Sequence, residues 1–285
     1  MIFRTDLALE TAKNAETLSK RDFEKTVETV GNVTVTTLKL HSKAAATAIG
    51  KPCGTYVTLE FPTLSDDEKT LSESAALLAK SLTALLPKTG TVLTVGLGNR
   101  GITPDALGPR AADMVLATRH ISGEFARSVG LDGLRSSAVL VPGVLGQTGT
   151  ESSEIVRGVC AVVSPTAILA IDALAAGDVT RLGCTVQLSD SGISPGAGVG
   201  NHRHPLNADT FGVPVIGIGV PTVVDAATIA AAIGGTVPEQ MQHFMVTPKE
   251  IDLVINRAAR LIAAGINATL QPAYSPLELI SLALA

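Results

Sequence analysis

Thr91-Val92-Leu93-Thr94-Val95, running into Gly96-Leu97-Gly98-Asn99-Arg100-Gly101-Ile102-Thr103-Pro104-Asp105, is the stretch that decides how this chain folds. Five apolar and β-branched residues make a run too short for a buried helix and right for a buried strand. A glycine-rich turn follows. Thr103-Pro104 then reads as an N-cap with proline at the first helical position, and the helix is expected to run through residues 112–117. The rhythm repeats. A strand over 138–141 ends at Pro142-Gly143, a helix spans about 151–163, and a strand covers 167–171. Strands over 185–188 and 213–218 and helices over 223–232, 248–264 and 276–284 complete the pattern. Short apolar strands spaced by helices predict an α/β fold, a mostly parallel sheet with helices on both faces.

Upstream, residues 1–31 are polar, with Gly31-Asn32 as a turn signal, and strands are expected over 33–38 and 56–60. Leu71, Ala75, Leu78, Leu82 and Leu85 recur at helical spacing over 66–86, where Ser65 is the expected cap and Glu68 completes a capping box. No low-complexity linker divides the chain, so a single α/β domain with an irregular N-terminal portion is expected.

Composition narrows the function. Of 285 residues 46% are hydrophobic, with no Trp, two Tyr and six Phe, so the core is built from Ala, Val, Leu and Ile. That suits buried parallel strands. The net charge of −4, with no local Lys/Arg cluster, argues against direct nucleic-acid binding. No apolar run reaches the roughly 18 residues of a membrane span, and the N-terminus lacks a signal region. Cys53, Cys160 and Cys184 are odd in number and lack metal spacing, and read as reduced thiols. A cytoplasmic protein is expected.

In open α/β sheets the chemistry collects at the carboxyl ends of strands. Two of those ends deliver a carboxylate: Asp105 after the first glycine-rich turn and Asp172 directly after Ala167-Ile168-Leu169-Ala170-Ile171. Asp105, beside a proline at a helix start, also suits plain compensation of the helix dipole. Asp172 is harder to explain that way, because low-dielectric surroundings disfavour its charged form. Glycine-rich loops at 96–101 and 192–200 offer backbone donors for an oxyanion or substrate, with Gly96, Gly98, Asn99, Gly192 and Gly196 as candidates. His120 and Asp190 are candidates to face the site.

Other chemistries have weaker signals. Gly96-x-Gly98-x-x-Gly101 matches the dinucleotide fingerprint, but the helix is expected to start after the third glycine, and no strand-borne acid follows about 20 residues on. His202-x-His204 lacks the further ligands of a zinc site. Ser191 does not sit in a nucleophile elbow, and no cysteine has the neighbours of a thiol nucleophile. No metal or cofactor is expected.

Several segments together resemble the germination protease family of endospore-forming bacteria. They include Arg4-Thr5-Asp6-Leu7-Ala8, Thr103-Pro104-Asp105-Ala106-Leu107-Gly108-Pro109, Ala170-Ile171-Asp172-Ala173-Leu174-Ala175-Ala176 and Ser189-Asp190-Ser191-Gly192-Ile193. Gly219-Val220-Pro221-Thr222-Val223-Val224-Asp225-Ala226 and Met245-Val246-Thr247-Pro248-Lys249-Glu250 close the series, which runs in family order from residue 4 to about 268. The resemblance implies a fold like that of hydrogenase maturation proteases and a homotetramer. It also implies a self-processing zymogen in the spore core whose substrates are small acid-soluble spore proteins. It assigns catalysis to Asp105 and Asp172. Asp6-Leu7-Ala8-Leu9-Glu10 fits the family's cleavage pattern, so Asp6–Leu7 is the expected self-cleavage bond, with residues 1–6 as propeptide and 7–285 as peptidase domain. Relative to the family the leader before Arg4 is nearly absent and the segment between Asp225 and Met245 is shortened, which bears on substrate contacts and tetramer packing. The competing readings are a metal-dependent peptidase using Asp105, Asp172 and His120, a nucleotide-binding protein, and a non-catalytic interaction protein.

Overall fold

The computed structural model describes residues 5–121, 123–128, 133–196, 204–235, 237–238 and 244–285. Among them, nine strands form one sheet. They are β1 (Phe23–Val30), β2 (Val33–Leu40), β3 (Gly54–Glu60), β4 (Val92–Gly96), β5 (Ser137–Leu140), β6 (Ala167–Ala176), β7 (Thr185–Ser189), β8 (Val215–Asp225) and β9 (Met245–Val246). Their spatial order is β1-β2-β3-β7-β8-β6-β4-β5, with β9 paired to β8.

The α/β class and its parallel core are as expected from the sequence: β8, β6, β4 and β5 pair in parallel. Alternate residues of β6 serve opposite faces. Ala167, Leu169 and Ile171 pack with the helices Glu68–Leu85 and Ile251–Leu270, while Ile168 and Ala170 pack with Val156 of the helix Ser152–Val163. A strand buried on both faces needs an unbroken apolar run, which is why 167–171 was legible.

An antiparallel wing, β7-β3-β2-β1, extends this core. β1 lies inside the stretch that composition marks only as polar. Phe23 is its one buried residue, so it carries no period-2 apolar signal. On the second face the wing has its own cluster, in which Leu38, Leu40 and Tyr56 meet Ala8, Ala12, Ala45 and Ile49. Between this cluster and the one around Val156 the sheet surface carries Gln187 and Ser189 of β7 and the side-chain-free Gly217 and Gly219 of β8, leaving a trough.

Several boundaries differ from the sequence expectation. The helix Glu68–Leu85 is capped by Asp67, whose carboxylate accepts from Thr70 N at 2.9 Å; Ser65 instead accepts from Asp67 N at 3.1 Å. β6 and β8 run past their apolar stretches because they pair with each other through Ala176 and Val224, across a register shift at Leu174/Ala175. Val223 and Val224 thus belong to β8. The following helix starts at Ala226, where Asp225 caps it by accepting from Ala227 N at 2.7 Å. The helix expected over 112–117 is Leu107–Asp113, preceded by a 3-10 turn at Thr103–Asp105.

Candidate active site

β4 ends opposite Ile171, with Gly96 as its last paired residue, and one further link joins Leu97 N to Ile171 O at 2.8 Å. Beyond Ile171, β6 pairs with no strand on that side among the described residues. The helix after β4 packs on one face of the sheet and the helix after β5 on the other. The crevice between the carboxyl ends of β4 and β6 is therefore a topological switch point, where open α/β sheets hold their ligands.

Asp172 is the first residue of β6 beyond the reach of β4. It is buried at 5% exposure, and its Oδ1 accepts from Ala173 N at 2.9 Å. Asp105 closes the 3-10 turn. Its Oδ2 accepts from Asn99 N at 2.8 Å, and its carbonyl accepts from the same N–H at 3.1 Å. Two glycines make this seat. Gly98, at φ +116°, lies so close to Asp105 that a Cβ there would be 2.0 Å from the Asp105 carbonyl oxygen. A Cβ on Gly108 would be 2.2 Å from Leu97 O and 2.5 Å from Ile171 O, so the helix Leu107–Asp113 lies directly against the ends of β4 and β6. Thr222 Oγ1 donates to Pro104 O at 2.8 Å, and Thr247 Oγ1 to Thr222 O at 2.8 Å, tying the turn to β8.

Asp105 and Asp172 line one cleft of about 360 Å³, with apolar walls from residues such as Leu97, Val144 and Leu174. Gly98 and Gly196 also line it. Asn99 directs its N–H to Asp105, and its Oδ1 accepts from Gly101 N and Gln147 Nε2, both at 2.9 Å. Gly96 is buried beneath Gly108, and Gly192 lines a neighbouring cavity of about 320 Å³. His120 and Asp190 are exposed and line neither cavity; Asp190 Oδ1 accepts from Thr55 N at 2.6 Å. Of the dinucleotide-like glycines, Gly96 serves strand–helix packing and Gly98 the seat of Asp105, and a 3-10 turn stands where a pyrophosphate-binding helix would begin. His202 and the loop 197–203 lie outside the described residues. Among the described residues no cluster of three His, Cys, Asp or Glu is arranged to hold a metal, and no helix is long and apolar enough to cross a membrane.

The sequence marked Asp6 only as one side of a peptide bond, yet in the fold it forms part of the cleft wall with Asp105 and Asp172. Burial pushes its carboxyl above the usual range, while Lys51 Nζ at 3.9 Å and a hydrogen bond from Ala175 N at 2.9 Å pull it back down. Lys51 and Gln187, which hold this segment, carried no local signal. Their partners lie 46 and 181 residues away respectively.

A family model described as germination protease matches residues 4–244. A germination protease of Caldanaerobacter subterraneus subsp. tengcongensis is 39% identical over 97% of this chain and 96% of its own length. One from Clostridium perfringens is 38% identical over 94% and 95%, and one from Bacillus subtilis 40% identical over 93% and 73%. Among solved structures, the [NiFe] hydrogenase maturation protease HycI of Thermococcus kodakarensis KOD1 matches 66% of this chain and 99% of its own, at a TM-score of 0.39 and 20% identity. With a family match over most of its length and relatives near 40% identity, the chain belongs to the germination protease family, the peptidases of spore germination.

Proposed function

We propose that this peptidase hydrolyses peptide bonds with a water molecule shared by Asp105 and Asp172. The observation that carries this reading is that the two acids, 67 positions apart in sequence, line one cleft at the switch point of the sheet. Like charges in one cavity favour a pair holding a single proton. The ionised member takes a proton from water as it attacks the scissile carbonyl. The protonated member polarises that carbonyl and then protonates the leaving amine. Gly98 and Gly196 bring backbone to the cleft, where N–H groups stabilise the tetrahedral oxyanion.

The substrates are small acid-soluble spore proteins in the spore core, and the chain is made as a zymogen that cleaves its own Asp6–Leu7 bond. Family membership supports the substrates, and the place of Asp6 on the cleft wall supports the processing site. Residues 1–6 are then the propeptide. A homotetramer is expected from the family and is checked by light scattering.

The test is cleavage of a spore-protein peptide by wild type, Asp105→Asn and Asp172→Asn, with and without chelator. Positioned acid–base catalysis contributes on the order of 10²–10⁴ in rate, so each variant should lose at least that factor while keeping its circular dichroism spectrum. A folded single variant with wild-type turnover refutes the mechanism, and chelator-sensitive cleavage replaces it with a metal-dependent one.

A further inference from the structure

Residues 5–10 do not trail away from the molecule but lie in the trough beside the two aspartates, held at nearly every polar atom. Asp6 N donates to Ala175 O at 2.9 Å, and Ala175 N returns a bond to Asp6 Oδ2 at 2.9 Å. Gln187 grips the backbone around Leu7 from both ends: its Nε2 donates to Asp6 O at 3.0 Å and its Oε1 accepts from Ala8 N at 2.8 Å. Leu7 and Ala8 are fully buried. Lys51 Nζ donates to Thr5 O at 3.0 Å and faces the Asp6 carboxylate. Glu10, its side chain only 7% exposed, accepts from Gly177 N at 2.6 Å and faces Arg181 Nη1 at 3.5 Å.

Gln187 is aligned with the chemistry. Gly219 of β8 is the register partner of both Gln187 and Asp172, so the three residues form one row across β7, β8 and β6. Without residues 5–10, the Gln187 amide in this row and, further along the same strip, the Ala175 N–H and C=O and the Gly177 N–H would lose the partners they have here. Lys51 would lose its carboxylate partners, although burial already holds its ammonium below the usual range. A buried polar group without a partner is costly, so the strip is built to be filled. Arg181 also contacts Glu60 Oε1 at 3.1 Å and Asp178 Oδ2 at 3.2 Å, and stays in place whichever peptide carries the incoming acid.

We infer that Lys51, Gln187 and Arg181, with the backbone of Ala175 and Gly177, are the specificity-determining subsites of this peptidase, and that residues 5–10 occupy them in cis. The strip takes a peptide with an acid, then a large apolar residue in extended conformation, then a small residue opening a helical turn, and a Glu two positions later. Leu7 is extended at φ −82°, ψ 117°, and a helical turn starts at Ala8. Lys51 and Ala175 N–H read the first acid, Gln187 fixes the backbone register, and Gly177 N–H with Arg181 reads the Glu. The chain's own segment competes with any substrate until it is displaced. This rests on the peptidase reading above, and the test separates the two.

The probe is a quenched-fluorescence peptide with the sequence of residues 5–14, alongside a peptide whose counterpart of Glu10 is Gln. With the full wild-type chain the replacement should raise KM about 10- to 100-fold, the worth of a hydrogen bond to a charged group. With Arg181→Gln the discrimination should fall at least about 3-fold below the wild-type value, because the cation facing the Glu is gone and only the Gly177 N–H still meets it. Gln187→Ala should raise KM for both peptides alike. A readout needing no variant is amide exchange: saturating peptide should speed exchange at Ala8 N–H by displacing the segment. Equal discrimination by wild type and Arg181→Gln, or unchanged exchange at Ala8 under saturating peptide, overturns the subsites. Cleavage without discrimination removes the subsites and leaves the peptidase standing. Discriminating binding without cleavage removes the two-aspartate mechanism and leaves the subsites standing.

Discussion

Gly108→Ala should damage this enzyme more than its size suggests. In a helix interior, Gly to Ala normally stabilises by about 1 kcal/mol. At Gly108 the added Cβ would sit 2.2 Å from Leu97 O, 2.5 Å from Ile171 O and 2.6 Å from Leu97 N. All three are backbone atoms at the ends of β4 and β6, so no rotamer change relieves the contact and the helix Leu107–Asp113 must move out by about 1 Å. Overpacking of this kind costs typically 1–3 kcal/mol. With three backbone contacts the upper end applies, leaving a net loss of about 2 kcal/mol, or roughly 3 °C in Tm for a chain of this size. The same movement carries Asp105 away from Asp172, and a 1 Å misplacement costs on the order of 10²-fold in rate. Gly158→Ala is the matched control. It lies exposed in the helix Ser152–Val163 with nothing within 4 Å of its Cβ position, and should raise Tm by about 1–2 °C with unchanged turnover. Scanning calorimetry and peptide cleavage on both variants decide the matter. Gly108→Ala as stable and active as Gly158→Ala refutes the claim that close helix–strand approach sets the cleft.

Asn267→Ala should lower stability by about 2 kcal/mol, because the 1%-exposed Asn267 accepts from Leu116 N and donates to Met114 O, both at 3.0 Å, and its loss leaves these groups unpaired; urea unfolding measures it. Leu169→Ala, at a fully buried position of β6, should cost about 2–5 kcal/mol in the same assay. Asp67→Ala removes the cap of the helix Glu68–Leu85. Hydrogen bonds from Thr70 hold the Asp67 carboxyl below 3.8, so the folded state binds its proton less readily than the unfolded state. The cap therefore stabilises fully above pH 3.8 and fades as pH falls through the lowered value, and the Tm gap between wild type and Asp67→Ala should close over that window.

What was legible followed from strength of local pattern. β4 and the first half of β6 are apolar on both faces and stand out as runs, and Pro142-Gly143 and Pro276 punctuate neighbouring elements. β1 did not stand out, since a wing strand with one buried residue has no face to display. The second half of β6 read as a loop because Asp172 ends its apolar run, and the end of β8 read as the start of a helix because Pro221-Thr222 breaks its run; only pairing between the two strands keeps them extended. The GxGxxG match holds only at the level of letters, and the sequence already speaks against it by starting the helix after the third glycine. Gly96 and Gly98 are required by the close approach of Gly108 and Asp105 respectively, which no spacing rule contains.

Sequence by itself determined the α/β class, the parallel core, the two strand-end acids and the family, because these rest on runs and motifs contiguous in the chain. Tertiary structure alone decided that Asp105 and Asp172 open into one cleft, that Asp6 lies on its wall, and that Gln187 stands in the row of Asp172. The physical reason is distance along the chain. Those groups are brought together by strand register across β6, β8 and β7 and by a helix seated on glycine, and a register between strands is written in the packing of the whole sheet rather than in any one segment.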